Sequence, residues 1–165
     1  MSPNKRTILI VDDSEIVRET VRFVLQSRGY EVLALESPFG FGAALNEARP
    51  DLVLMDANMP AVSGEKLVAV AIQNGLCSCP VVFYSDKSSE ELKRLVQASG
   101  ASGFIRKTSD SEAFLAAVEE HLSCASERPS SKRASSSSEL PASQRPGTTP
   151  TSPNSSRWRS GGSKS

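Results

Sequence analysis

Five short apolar runs separated by segments of helical period constrain this chain more than any other feature. The runs are "TILIV" at 7–11, "EVLAL" at 31–35, "DLVLM" at 51–55, "PVVFY" at 80–84 and "GFI" at 103–105. They are rich in β-branched and aromatic residues and too short for helices, so they read as buried strands. Between them the period changes. Ile16, Val17, Thr20, Val21, Val24 and Leu25 fall on one helical stripe, and Phe114, Leu115, Val118 and Leu122 fall on another. Gly29, Gly75 and Gly100 stand where helices need a left-handed C-terminal residue, while Ser88 with Glu91 and Ser109 with Glu112 have capping-box spacing. The weakest helical segment is "SPFGFGAALNEARP", because Gly40 and Gly42 would each cost about 1 kcal/mol relative to Ala inside a helix. A helix there is expected to start late.

Strand followed by helix, repeated at the length of a βα unit, implies an α/β fold: a doubly wound five-stranded parallel sheet with helices on both faces. In such sheets the loops after the strand C-termini line the ligand crevice. The pattern stops after Cys124. Residues 1–124 are read as the domain and residues 125–165, with 14 serines and few aliphatic side chains, as a disordered Ser/Pro-rich tail unable to offset the entropy of ordering. Charge divides at the same place. The domain holds 17 Asp and Glu against 12 Lys and Arg, the tail 2 against 7, so a domain of net −5 carries a tail of net +5. No run of eighteen apolar residues and no signal peptide is found, and three cysteines (Cys77, Cys79, Cys124) form no disulfide framework. A cytoplasmic protein with reduced thiols and no transmembrane segment is expected.

The strand ends carry the chemistry. Asp12 and Asp13 follow the first run, Asp56 the third, Ser85 the fourth, and Arg106-Lys107 the fifth. Singly, each has an ordinary reading: the Asp pair as helix caps, Ser85 as a turn residue, Lys107 as a solvated charge. Together, the topology brings them to one sheet edge. Three carboxylates repel and raise one another's pKa unless a cation sits among them, and oxygen-only ligands suit Mg²⁺. An amine and a hydroxyl remain to hold an anion. A phosphoryl group satisfies this set, with Asp56 as the attacking nucleophile.

The Asp12-Asp13 pair, "MDANMP" around Asp56, "YS" at Ser85 and "GFIRK" ending at Lys107 resemble, in order and spacing, the receiver domain of bacterial two-component response regulators, across residues 5–123. The resemblance implies the flavodoxin-like strand order 2-1-3-4-5. It implies Asp56 as phosphoacceptor, Asp13 as a direct Mg²⁺ ligand, Asp12 as a ligand through water and the backbone carbonyl of Asn58 as a further ligand. Lys107 would pair with phosphoryl oxygens. Ser85 would move toward the phosphate and Phe104 would turn inward with it, reshaping the face of the fourth helix, fifth strand and fifth helix for a protein target. Asn58 and Lys87 would tune the lifetime of the phosphorylated state. The implied phosphodonor is a sensor histidine kinase or histidine phosphotransfer protein.

Two positions depart from that pattern. Thr108 stands where most receivers have proline, often after a cis bond. A cis bond before a non-proline residue costs about 2.5–4 kcal/mol, so a trans bond is expected. Asp86 replaces a small residue after the switch hydroxyl, and its charge is expected to slow phosphorylation or shorten the phosphorylated state. No DNA-binding domain is expected after the receiver, which suggests a stand-alone regulator acting through protein contacts. Two rivals stand beside it: a degenerate receiver acting as a phosphorylation-independent adaptor, and a Mg²⁺-dependent phosphohydrolase. The second normally needs a general-acid aspartate where this chain has Asn58. The basic tail, with "RWR" at 157–159, could contact an anionic partner.

Overall fold

The computed structural model describes residues 5–60 and 62–126. Five strands alternate with five helices: β1 (Thr7–Val11), α1 (Glu15–Ser27), β2 (Glu31–Leu35), α2 (Phe41–Ala48), β3 (Leu52–Met55), α3 (Gly64–Gln73), β4 (Val81–Ser85), α4 (Ser89–Ser99), β5 (Gly103–Arg106) and α5 (Ser111–Ser126). All the strand pairs are parallel and the order is β2-β1-β3-β4-β5. This is the expected doubly wound sheet.

Strand alternation sorts the core into two layers. Ile8, Ile10, Leu52, Leu54, Val82 and Tyr84 pack against Val21 and Leu25 of α1 and Phe114, Leu115, Val118 and Leu122 of α5. The intervening Leu9, Val11, Val53, Met55, Val81 and Phe83 pack against α2, α3 and α4 through Phe41, Leu45, Val68, Ala71 and Leu92. Because β1, β3 and β4 are buried on both faces, their sequences are continuous apolar runs rather than alternating ones. Each fully buried aliphatic side chain contributes roughly 1.5–3 kcal/mol.

Gly29, Gly75 and Gly100 have φ of +88°, +66° and +77°, as helix C-termini require. Gly40 lies outside α2, as its left-handed N-cap, and the helix starts at Phe41. Ser88 and Glu91 form the expected capping box. The proposed box of Ser109 with Glu112 is not formed. Asp110 caps α5 instead, its Oδ1 accepting from the N–H groups of Glu112 (3.0 Å) and Ala113 (3.2 Å), since a carboxylate one position nearer reaches both donors. The α1 stripe is narrower than its period suggests. Val21 and Leu25 are buried, but Ile16 is 79% exposed at the helix start.

Helix α5 runs past Cys124 to Ser126. The remainder of the tail, including Arg157–Arg159, lies outside the described residues. Among the described residues no helix is long and apolar enough to cross a membrane.

Candidate functional site

The parallel ladder delivers the site. Val11 is the register partner of Met55, and Met55 of Phe83, so Asp12 and Asp56 leave neighbouring strands at one level. The ladder also runs one residue further. The N–H of Asp56 donates to the Val11 carbonyl (2.9 Å), that of Asp12 to Leu35 (3.1 Å) and that of Lys107 to Ser85 (2.8 Å). The backbone at Asp12, Asp56, Ser85 and Lys107 is therefore held by the sheet.

Carboxylate oxygens of Asp12, Asp13 and Asp56 lie within 4.8 Å of one another. Asp12 and Asp56 are buried, whereas Asp13 is exposed. Lys107 Nζ lies 2.8 Å from Asp12 Oδ2 and 3.6 Å from Asp56 Oδ1. It also sits 5.7 Å from the centre of the Tyr84 ring, which packs on Phe114 of α5. The Lys107 ammonium is the charge partner of the buried Asp12 Oδ2. The other oxygen, Oδ1, accepts the N–H of Ser14 (2.9 Å), so Asp12 also shapes the entry to α1.

Burial pushes the Asp56 carboxyl above its ordinary value of 3.8; Lys107 and the Asn58 N–H pull it down, and Asp12 and Asp13 push it up again. Burial lowers the Lys107 ammonium, but its contact with Asp12 and the charges of Asp12 and Asp56 outweigh this and raise it overall. Three carboxylates against one ammonium leave two negative charges in excess. Oxygen-only donors and that excess together fit a hard divalent cation, with Asp12, Asp13 and Asp56 as its holders.

Ser85 is fully buried, and its Oγ accepts long contacts from Asn58 Nδ2 (3.4 Å) and the Lys87 N–H (3.5 Å). Asn58 is exposed, and its N–H donates to Asp56 Oδ1 (3.2 Å). Exposed Asp86 accepts from Asn58 Nδ2 at 3.0 Å. Lys87 is half-buried at the rim. Phe104, also half-buried, packs with the α2–α4 layer. The Lys107–Thr108 bond is trans, as the missing proline implies.

The cysteines stay apart from this chemistry. Cys79 is pushed up to about 12 by burial, which keeps it a thiol, and among the described residues the Asp cluster is the group arranged to hold a metal. A cavity of about 280 Å³ lined by Arg6, Asp51 and Cys79 shares no residue with the cluster. A groove of about 300 Å³ between α1 and the β5–α5 connection has Tyr84 and Lys107 in its wall.

Sequence reasoning missed Gly64. A Cβ there would collide with the Asp56 carbonyl oxygen and stand 3.3 Å from Met55 Cγ, so only glycine lets α3 start against the Asp56 backbone. Its signal was a glycine soon after the Met-Pro turn.

The family model for the response regulator receiver domain matches residues 8–119. The chain belongs to this receiver family. The receiver is 32% identical over 117 residues to the CAI-1 autoinducer sensor kinase/phosphatase CqsS of Vibrio cholerae, a match covering 69% of this chain and 17% of that protein. It is 33% identical over 103 residues to the phosphate regulon transcriptional regulatory protein PhoB of Pseudomonas aeruginosa, covering 62% and 45% of the two chains. The chain thus spans half or less of these curated relatives' length. Among solved structures, chemotaxis protein CheY4 of Vibrio cholerae superposes with a TM-score of 0.65 at 30% identity, covering 71% of this chain and 98% of that one. The receiver domain protein of Methanospirillum hungatei reaches 0.68 at 22% identity, covering 76% and 100%, which supports the fold alone.

Proposed function

We propose that this receiver is a phosphoacceptor in a two-component phosphorelay, with Asp56 as the acceptor. The observation that carries this reading is a buried carboxylate flanked by two others and by Lys107 on a sheet edge. The ionised Asp56 oxygen attacks the phosphorus of a phosphohistidine on a sensor kinase or phosphotransfer protein. The P–N bond breaks as the P–O bond forms, and the imidazole leaves with its electron pair and takes a proton. Lys107 is placed to pass from Asp12 toward the arriving phosphoryl oxygens, and buried Ser85 to donate its O–H to another. Asp12, Asp13, Asp56 and the Asn58 carbonyl would hold Mg²⁺, which would supply charge neutralisation at the transferring group. Its chemistry on the protein is limited to gaining and losing this group, so it is a signalling switch rather than an enzyme acting on external substrates.

Movement of Ser85 toward the phosphate leaves room that half-buried Phe104 takes up, changing the α4–β5–α5 face that a downstream protein reads. We place this activity in the cytoplasm, in a regulator that acts through protein contacts. Incubation with a small phosphodonor and Mg²⁺, followed by intact mass, tests the reading. Wild type is expected to gain one phosphoryl group and Asp56→Ala none. Equal gain by both would assign the phosphate elsewhere, and no gain by wild type, even with phosphorylated kinases offered, would favour a phosphorylation-independent adaptor.

A further inference from the structure

Helix α1 presents a second stripe, on the side turned away from the core. Ile16 is 79% and Phe23 75% exposed, and with exposed Thr20 and Ser27 they follow the alternating four- and three-residue spacing of a helix that packs against another helix. Beside Ile16 opens the groove of about 300 Å³ walled by Val17, Thr20, Tyr84 and Thr108. One helix thus carries an aromatic knob in its second half and a hollow in its first. Charge is divided in the same sense. Glu15 and Glu19 stand in the first half and Arg22 in the second, on one flank of the stripe.

We propose that this face joins two copies of the chain, their α1 helices antiparallel across a two-fold axis beside Thr20. In that arrangement Phe23 of each copy lies over Ile16 of the other and enters its groove, so one contact is made twice, as an isologous pair requires. The charges select the direction. Antiparallel helices set Arg22 between Glu15 and Glu19 of the other copy, whereas parallel helices would oppose Arg22 to Arg22 and Glu15 to Glu15. Arg22 already meets Glu19 of its own copy at 2.9 Å, but that pair is exposed and contributes little, and the guanidinium has donors left for a second carboxylate. An aromatic side chain seated in a hollow is the kind of anchor that carries most of an interface's energy. One helix and one groove per copy make a small, weak interface. It does not depend on the chemistry at Asp56.

The test uses the full chain, its mass in solution followed by sedimentation equilibrium up to about 1 mM, the weak end of specific association. Wild type is expected to pass from one copy to two as concentration rises. Phe23→Glu, at an exposed position, should keep the wild-type urea midpoint and weaken pairing roughly a hundredfold or more, because the anchor is lost at two places. Charge exchange reads the direction. Arg22→Glu, and separately Glu15→Arg with Glu19→Arg, should each pair about tenfold more weakly than wild type, while a mixture of the two variants should recover wild-type pairing as a heterodimer. A cross-link reads the register. In a Cys124→Ser background, which removes the exposed thiol, Thr20→Cys should form a disulfide-linked pair with a mild oxidant. Gln26→Cys should not, because antiparallel helices hold those two positions roughly 20 Å apart.

A chain that stays single at about 1 mM, or a Phe23→Glu variant that pairs as wild type does, would overturn the proposal. Single copies together with slower phosphoryl uptake by Phe23→Glu from a phosphorylated kinase would give the face to a donor protein instead. Equal cross-linking of Thr20→Cys and Gln26→Cys, or a charge mixture that pairs no better than its components, would overturn the antiparallel arrangement.

Discussion

Lys107→Met is expected to destabilise the metal-free protein by about 3 kcal/mol in urea titrations at neutral pH. Removing one partner of a buried ion pair typically costs about 3–5 kcal/mol, because the other charge is left uncompensated. The Asp12 side chain is 1% exposed and cannot recover water, whereas Lys107 is 22% exposed, which places the loss at the lower end. Methionine retains most of the aliphatic stem beside Tyr84, so the loss reports charge rather than packing. The deficit should shrink on addition of Mg²⁺, which restores positive charge beside Asp12. A loss well below 1 kcal/mol, with no effect of Mg²⁺, would mean that Lys107 and Asp12 are weakly coupled.

Gly64→Ala is expected to separate stability from function. Its Cβ would fall inside van der Waals contact of the Asp56 carbonyl oxygen, so α3 or the Asp56 backbone must move. Overpacking of this kind costs typically about 1–3 kcal/mol. Phosphoryl uptake should fall much further, on the order of a hundredfold, because a shift of about 1 Å in a reacting group has that effect on rate. Initial uptake rates and urea midpoints on the same samples check both halves. Gly42→Ala is the control. It lies inside α2 with open space around its Cβ, and should leave uptake unchanged while gaining up to about 1 kcal/mol. Equal uptake by Gly64→Ala and wild type would show that the acceptor tolerates the collision.

The fold was legible because two periods repeat along the chain and glycine marks the helix ends. The runs at 7–11 and 31–35 match β1 and β2 residue for residue, those at 51–55 and 103–105 differ from β3 and β5 by one position at one end, and the run at 80–84 is offset from β4 by one residue. The gathering of Asp12, Asp13, Asp56, Ser85 and Lys107 was also legible, since parallel topology forces successive strand ends to one edge. What sequence could not give was the pairing within that edge. Nothing in the order of residues says that Lys107 lies nearer Asp12 than Asp56, or that Asp86 meets Asn58. These depend on loop conformation and side-chain reach. The Asp110 cap was missed for a similar reason, because Ser109 with Glu112 satisfies the same spacing rule one residue earlier. Ile16 belongs to the α1 stripe by period but lies at the helix start, beyond the layer that covers it.

Asp12, Asp13 and Asp56 form one anionic cluster suited to a divalent cation, and melting temperature followed against pH reads its charge. Because folding raises the Asp56 carboxyl above its ordinary value of 3.8, the folded state holds this proton more tightly. The resulting stability is fully present below about 3.8 and is lost as pH rises through the higher folded value, so ionised Asp56 is a liability at neutral pH. In chelator at neutral pH, Asp56→Asn should melt above wild type, with the gap closing on acidification toward 3.8. Mg²⁺ should raise wild type far more than Asp56→Asn, by about 2.7 kcal/mol at a hundred times its Kd. Wild type unmoved by Mg²⁺, or an Asp56→Asn variant that is no more stable than wild type in chelator, would mean that these carboxylates do not act as one cation-binding cluster.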